Sequence, residues 1–173
     1  MDLIHKINDH YNERRDVQNR HLLTWDWLSG FELSGRGLDL GGASDLTSLI
    51  SSRVNVENTD FDLDGPWPVG GYDHIFCFGV LECLMNPLHA LVEAKKRSNS
   101  IFLSYMIRPA FWMNERQFNQ LDEERLMTLL DRAGLTIRHR QIVNQWADNR
   151  LSLTGIRPIL RRLTTKTHLI ATG

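Results

Sequence analysis

Apolar residues along the chain change between helical spacing and short continuous runs. Helical spacing comes first, over residues 3–28, where a polar stretch interrupts the middle, so this segment predicts one or two helices. Runs of strand length follow and predict strands at 37–40, 54–56, 72–80, 101–107, 135–143 and 168–172. The run at 72–80 is mostly apolar, which is typical of a strand covered by helices on both faces.

Helix signals lie between the predicted strands. Ser44 is the expected cap of a helix that carries Asp45 in its first turn. Asn86 followed by Pro87 predicts the start of a second helix, and Asp122 predicts the start of a third. Strands that alternate with helices predict an α/β fold with a mostly parallel sheet and helices on both faces.

The composition is that of one globular domain. The chain has 173 residues, of which 42% are hydrophobic and 24% charged. We expect a single domain, with an N-terminal helical segment at 1–34 and an α/β core at 35–173. No apolar run approaches the roughly 20 residues that span a bilayer, and the N-terminus is too charged for a signal peptide. The expected location is therefore cytoplasmic, without a transmembrane segment.

The cysteines and histidines do not predict a metal site. Cys77 and Cys83 lack metal-ligand spacing, and no pair of histidines has it. Both cysteines are expected to be reduced and at least partly buried.

Charge is divided unevenly along the chain. Residues 1–94 carry 6 basic and 15 acidic side chains, whereas residues 95–173 carry 14 and 6. Such a division fits either an anionic partner for the basic part or, as we favour, two halves of one fold that complement each other. The absence of an RNA-binding motif or zinc module disfavours a nucleic-acid partner.

The stretch LDLGGASD, residues 38–45, carries the most informative chemistry. Gly41 and Gly42 follow a predicted strand and precede a predicted helix, where glycine lets the backbone approach a ligand closely. Asp39 lies on the strand itself, where a carboxylate is costly to bury unless it orients the loop or meets a cation. A positively charged ligand with a ribose would explain both features.

These residues resemble a family, the class I S-adenosylmethionine-dependent methyltransferases, over about residues 36–173. LDLGGAS resembles the first motif of the family. The segment 72–96 resembles its fourth strand and following helix, and residues 81–87, LECLMNP, stand where a Leu-Glu-His-Leu-x-x-Pro pattern is frequent. The resemblance points to a small subgroup with this pattern. It implies a Rossmann-like sandwich of seven strands or slightly fewer, an antiparallel last strand pair, and S-adenosyl-L-methionine as cofactor.

The resemblance also implies a cofactor site built from four segments. The loop under the methionine part would contain Asp39, Gly41, Gly42 and Ala43. An acid that ends the second strand would hold the ribose, with Asp60 as first candidate and Glu57 as second. Asp62 and Leu63 would meet the adenine, and Phe78 and Gly79 would line the pocket near the transferable methyl group.

The expected function is methyl transfer to a small-molecule or sugar-linked acceptor. Such catalysis depends largely on alignment, so we name no catalytic residue. Glu82 could serve as a base or contact the substrate, or it could bond the backbone, which we favour slightly. Tyr11 and Arg14 could cover the cofactor, although packing alone would also explain them.

Two other functions remain open. The family loop has glycines where this chain has Ala43 and Asp45, and the third strand is expected to be very short or absent. These departures motivate the alternative of a non-catalytic binding or partner protein with the same fold. A dinucleotide-binding protein is a weaker possibility, since the fingerprint G-x-G-x-x-G is absent.

Overall fold

The computed structural model describes residues 15–41, 45–59, 61–108, 118–144 and 164–173. Its elements are α1 (Arg15–Ser29), β1 (Arg36–Asp39), α2 (Asp45–Ile50), β2 (Asn55–Asn58), β3 (His74–Phe78), a 3-10 turn (Leu81–Cys83), α3 (Pro87–Arg97), β4 (Ile101–Ile107), α4 (Glu123–Arg132), β5 (Ile137–Val143) and β6 (Lys166–Thr172).

The six described strands form one sheet in the order β2-β1-β3-β4-β6-β5. β1, β2, β3 and β4 are parallel to their neighbours, whereas β6 is antiparallel to both β4 and β5. The predicted α/β sandwich with an antiparallel last pair is therefore confirmed. Within 61–73, the described link between β2 and β3 contains no strand, so the sheet is reduced as expected.

Hydrophobic cores cover both faces of the sheet. On one face, Ile75 and Leu103 pack in a cluster with Leu91 of α3 and Leu126 of α4. On the other face, the cluster includes the side chains listed here: Trp27 and Leu28 of α1, Ile50 of α2, Phe76 of β3 and Phe102 of β4. Neighbouring residues of β3 thus enter different cores, which explains why its sequence is apolar at successive positions.

Side chains at the helix ends bear out the predicted starts. Asn86 Oδ1 accepts a hydrogen bond from the backbone N–H of His89 at 3.1 Å, and Pro87 occupies the first helical turn. Asp122 Oδ1 accepts one from the backbone N–H of Arg125 at 2.8 Å. Each bond satisfies an N–H that has no partner within its own helix, which stabilises a helix by about 1 kcal/mol.

One expectation about burial is wrong. Cys77 is buried in β3, but Cys83 is exposed. Cys83 ends the 3-10 turn, whose buried side carries Leu81 and Glu82, so its own side chain is directed to solvent. Among the described helices, none is long and apolar enough to cross a membrane.

Candidate functional site

A cavity of about 160 Å³ lies at the carboxyl ends of β1 and β3, on the side covered by α1. The described residues that line it are Arg20, His21, Thr24, Asp39, Leu40, Gly41, Leu46, Phe78, Gly79, Val80 and Ser104. The carboxyl ends of parallel strands are where open α/β sheets bind their ligands. The structure therefore brings together four of the predicted cofactor residues, namely Asp39, Gly41, Phe78 and Gly79.

Asp39 presents a buried carboxyl group to this cavity. Its side chain is 5% exposed, and Oδ2 accepts a hydrogen bond from the hydroxyl of Thr47 on α2. Burial raises the pKa of Asp39 to about 6, and the bond from Thr47 opposes that rise. Near neutral pH the group is therefore largely ionised, and a cation in the cavity would favour its charged form.

Gly41 and Gly79 hold backbone conformations that favour glycine. Gly41 has φ +100°, and a Cβ there would lie 2.6 Å from a methyl carbon of Val80. Its N–H donates to the hydroxyl of Thr59 at 3.0 Å. Gly79 has φ +70°, and its N–H donates to Ser104 Oγ at 3.0 Å. The first glycine after β1 thus makes a tight turn beside the end of β3, which explains its place in the LDLGG sequence.

Helix α1 supplies three cavity residues that sequence reasoning missed: Arg20, His21 and Thr24. A Cβ on Gly79 would lie 3.3 Å from Arg20 Nη1, so the guanidinium group covers the end of β3. Thr24 donates to the carbonyl of Arg20 at 2.7 Å. Polar residues spaced four apart on an otherwise amphipathic helix were the available signal. The two residues considered earlier as a cover, Tyr11 and Arg14, lie outside the described residues.

His21 is neutral over most of the pH range. Burial is the largest cause that lowers its pKa to about 4, and the nearby charge of Arg20 adds to this effect. Asp45, in the first turn of α2, opposes the shift. Asp45 Oδ2 is buried and has no hydrogen-bond partner within the described part of the chain. The acid that departs from the family loop therefore lies at the helix start, as expected, and acts electrostatically on His21.

Comparison with known proteins gives no match to a protein family profile and none to a curated protein. Solved structures do match. A chain from the Haloferax volcanii complex of the Trm112 methyltransferase activator with a candidate methyltransferase has a TM-score of 0.69 and 13% identity, covering 95% of either chain. A candidate methyltransferase from Bacillus halodurans has a TM-score of 0.64 and 10% identity, covering 87% of this chain and 97% of its own.

A third solved structure is the N-methyltransferase NodS from Bradyrhizobium japonicum, in complex with S-adenosyl-L-homocysteine. It has a TM-score of 0.62 and 16% identity, covering 88% of this chain and 84% of its own. The chain has the class I methyltransferase fold. The small subgroup with the Leu-Glu-His-Leu pattern stays a prediction.

Within this methyltransferase fold, Glu57 points away from the cavity. It pairs in register with Leu38, whose side chain belongs to the core under α3 and α4, whereas Asp39 is bonded to α2 on the other face. Glu57 binds Arg36 at 2.8 Å and accepts a hydrogen bond from the Tyr72 hydroxyl at 3.2 Å. Its carboxylate is therefore engaged at the outer edge of the sheet. Asp60, the first candidate for the ribose contact, lies outside the described residues, as do Gly42 and Ala43.

The acidic loop after β2 is tied to the start of α3. The backbone N–H groups of Met85 and Asn86 donate to the two carboxylate oxygens of Asp64, at 3.0 and 2.7 Å. Asp62 is exposed, and its Oδ1 accepts the N–H of Asp64 at 3.0 Å. Leu63 is 8% exposed within the hydrophobic core. Neither Asp62 nor Leu63 is among the cavity-lining residues, so their contact with adenine stays a prediction.

Proposed function

We propose that this protein is an S-adenosylmethionine-dependent methyltransferase that acts on a small-molecule or sugar-linked acceptor. The observation that carries the proposal is the buried carboxyl of Asp39, which lines the cavity beside the glycine turn at the carboxyl end of β1. In a methyltransferase fold, a buried anion at this position would attract a cationic cofactor. The complex of NodS with S-adenosyl-L-homocysteine supports the same choice of cofactor.

The residues of the cavity fit the chemistry of this cofactor. When bound, S-adenosylmethionine supplies a methyl group on a positively charged sulfur, and its amino-acid part carries an ammonium and a carboxylate. Asp39 would lie near the cationic groups, and its burial strengthens that attraction. Arg20, on the cavity wall, would attract the carboxylate. Gly41 and Gly79 would let the backbone approach the ligand closely.

The protein's own contribution to the reaction is alignment and exclusion of water. Helix α1 covers the cavity with Arg20, His21 and Thr24, and Phe78 lines it near the end of β3. Holding two reactants in a suitable geometry is worth several kcal/mol of the barrier, on the order of 7–11 kcal/mol in favourable cases. We assign the ribose contact to Asp60 and the adenine contacts to Asp62 and Leu63, because Glu57, the second candidate for the ribose, is bound to Arg36 and Tyr72 instead.

A specific observation supports a second candidate, a non-catalytic binding or partner protein with this fold. Asp45 is half-buried and acts electrostatically on His21 of the cavity wall, and its buried Oδ2 has no hydrogen-bond partner among the described residues. A second negative charge at the loop would oppose the carboxylate of the cofactor. This candidate predicts that neither the cofactor nor its demethylated product binds, or that both bind without turnover.

Titration calorimetry of the purified protein with S-adenosylmethionine and S-adenosylhomocysteine tests the proposal. We expect saturable binding of both compounds, weakened at least roughly tenfold in Asp39→Asn through loss of a charged contact. Asp26→Asn is the matched control, because Asp26 is an exposed acid on α1 that does not line the cavity. Absence of binding to the wild-type protein would reject the methyltransferase assignment, and binding without transfer to any acceptor would favour the non-catalytic candidate.

A further inference from the structure

Glu82 lies directly beyond the cavity, where β3 and β4 end. The chain passes from Phe78, Gly79 and Val80, which line the cavity, straight into the 3-10 turn Leu81–Cys83. Glu82 is the middle residue of that turn and is 5% exposed. It is therefore a buried carboxyl group at the edge of the sheet where ligands of this fold class bind.

The two carboxyl oxygens of Glu82 differ in their contacts. Oε1 accepts a hydrogen bond from the backbone N–H of Met106 at 2.8 Å, which fixes the group against β4. Oε2 is buried and has no hydrogen-bond partner within the described part of the chain. A buried acceptor without a donor destabilises the fold, so its presence requires an explanation. A donor that belongs to a ligand would provide one.

The charges around Glu82 suit a group that receives a proton. Burial is the main cause that raises its pKa, because it penalises the charged form. The backbone N–H groups of Glu82 and Met106 oppose this rise, and the charges of Arg20 on the cavity wall and Arg108 after β4 oppose it to a lesser extent. The net effect is a carboxyl group that has a greater affinity for a proton than an exposed one.

We propose that Glu82 Oε2 accepts a hydrogen bond from an N–H or O–H group of the methyl acceptor and takes its proton during methyl transfer. The proposal rests on the function proposed above. A lone pair on the acceptor nitrogen or oxygen forms the bond to the methyl carbon, while the carbon–sulfur bond breaks and its electron pair stays on sulfur. The proton released by the acceptor moves to Oε2. The acceptor class is therefore an alcohol, a phenol or an amine.

The first test asks whether the fold needs the second oxygen. Glu82→Gln keeps an oxygen for the Met106 N–H and replaces Oε2 by an amide NH₂. Asp64→Asn is the matched control, since both oxygens of Asp64 accept backbone N–H groups of the same region. We expect Glu82→Gln to melt at or above the wild-type temperature, and Asp64→Asn to melt roughly 2–4 °C lower. A comparable loss in Glu82→Gln would make Glu82 a structural cap and overturn the proposal.

The second test measures binding of defined probes to the complex with S-adenosylhomocysteine, by ligand-observed NMR. The probes are matched pairs that differ by methylation: phenol and anisole, aniline and N,N-dimethylaniline. We expect the wild-type complex to prefer the members with an O–H or N–H by roughly tenfold. In Glu82→Gln this preference should disappear or reverse, because an amide NH₂ then occupies the place of Oε2. Equal preference in both proteins, or none in the wild type, would overturn the proposal.

The two proposals fail in different ways. If the wild-type protein does not bind S-adenosylhomocysteine, the methyltransferase assignment fails, and the role of Glu82 fails with it. If the compound binds but the probes show no dependence on Glu82, the assignment of the fold to methyl transfer stands and only the role of Glu82 is rejected.

Discussion

At the scale of single residues, Asp39 links the sequence motif to the chemistry of the cavity. Its carboxyl is buried and its pKa is raised to about 6, so the group changes from neutral to charged in mildly acidic solution. A folded-state pKa above the unfolded value of 3.8 means that Asp39 binds a proton more readily in the folded protein. The stability it contributes is present at low pH and is lost as the pH rises through about 6.

The same titration predicts how cofactor affinity depends on pH. A cationic ligand prefers ionised Asp39, so affinity for S-adenosylmethionine should increase from pH 5 to pH 7.5 as the carboxyl loses its proton. Calorimetry at pH 5, 6 and 7.5 on the wild type and Asp39→Asn measures this dependence. Thr47→Val, which removes the hydrogen bond that lowers the pKa, should move the increase to higher pH. An identical pH dependence in wild type and Asp39→Asn would contradict the assigned role.

Single residues also show how far the sequence could be interpreted. Asp39 and Gly41 were predictable because a carboxylate and a glycine turn after a strand have few structural explanations. Arg20 and His21 were missed because the sequence does not show which side of α1 faces the cavity. That orientation depends on how the helix packs against the sheet and not on the spacing of residues along it. Glu57 was a reasonable candidate by position, but the side of the sheet it faces follows from its register with β1.

At the scale of elements, the 3-10 turn after β3 is held in place by one side chain. Asn119 Nδ2 donates to the carbonyls of Leu81 and Leu84, the latter at 2.8 Å. Its Oδ1 accepts the hydroxyl of Tyr105 at 2.9 Å. The backbone N–H of Phe118 donates to the carbonyl of Glu82 at 2.9 Å, so the same segment is joined to the turn twice. These bonds position Glu82 and the end of β3 relative to β4.

We therefore expect Asn119→Ala to destabilise the protein by about 2–3 kcal/mol, since three hydrogen bonds are lost at roughly 1 kcal/mol each. Denaturant unfolding measures the change. Gln120→Ala is the control, because Gln120 is an exposed neighbour with one side-chain bond, to the carbonyl of Arg108. Equal effects of the two substitutions would show that Asn119 does not hold the turn.

The elements themselves were largely predictable, and the reason is local. Caps such as Asn86 and Asp122 satisfy backbone groups within four residues, so their signal is contained in a short stretch. The missing strand between β2 and β3 was also expected, since the link is too short for another strand and helix. The hydrogen bonds from Asn119 to the turn were not predictable, because the two carbonyl groups that accept them lie 35 and 38 residues away in the chain.

At the scale of the whole molecule, buried neutral histidines set the response to acid. His168 lies on β6, in register with Tyr105 of β4 and Ile142 of β5, and is 0% exposed. Neither ring nitrogen has a hydrogen-bond partner within the described residues. Burial is the main cause that lowers its pKa; Arg140 and Lys166 add to the effect, whereas Glu123 opposes it. His168 is thus a neutral group in the centre of the antiparallel part of the sheet.

Because the pKa of His168 is lowered in the folded protein, acid protonates this residue more readily in the unfolded chain than in the folded one. The free energy of unfolding should therefore fall as the pH drops below about 6.5, the unfolded value of histidine. His21 should lower it further between about pH 6.5 and pH 4, because its own pKa is lowered to about 4. Asp39 increases the free energy of unfolding as the pH drops from about 6 to about 4. The plot of wild-type stability against pH therefore combines both effects.

The variant His168→Leu separates these contributions. It removes two buried nitrogens without partners, so it should raise the free energy of unfolding by about 1–2 kcal/mol at pH 7. The gain should be larger at pH 5, because the unfolded wild-type chain is then protonated at this position and the leucine variant is not. Urea unfolding at pH 5, 6 and 7 gives the difference curve. His89→Leu is the control that loses a bond already made, because His89, half-buried on α3, donates from Nε2 to the carbonyl of Gly65 at 2.8 Å. A difference that stays constant with pH would show that the pKa of His168 does not change on folding, and a gain that is smaller at pH 5 than at pH 7 would show that folding raises this pKa; either result would contradict the direction argued here.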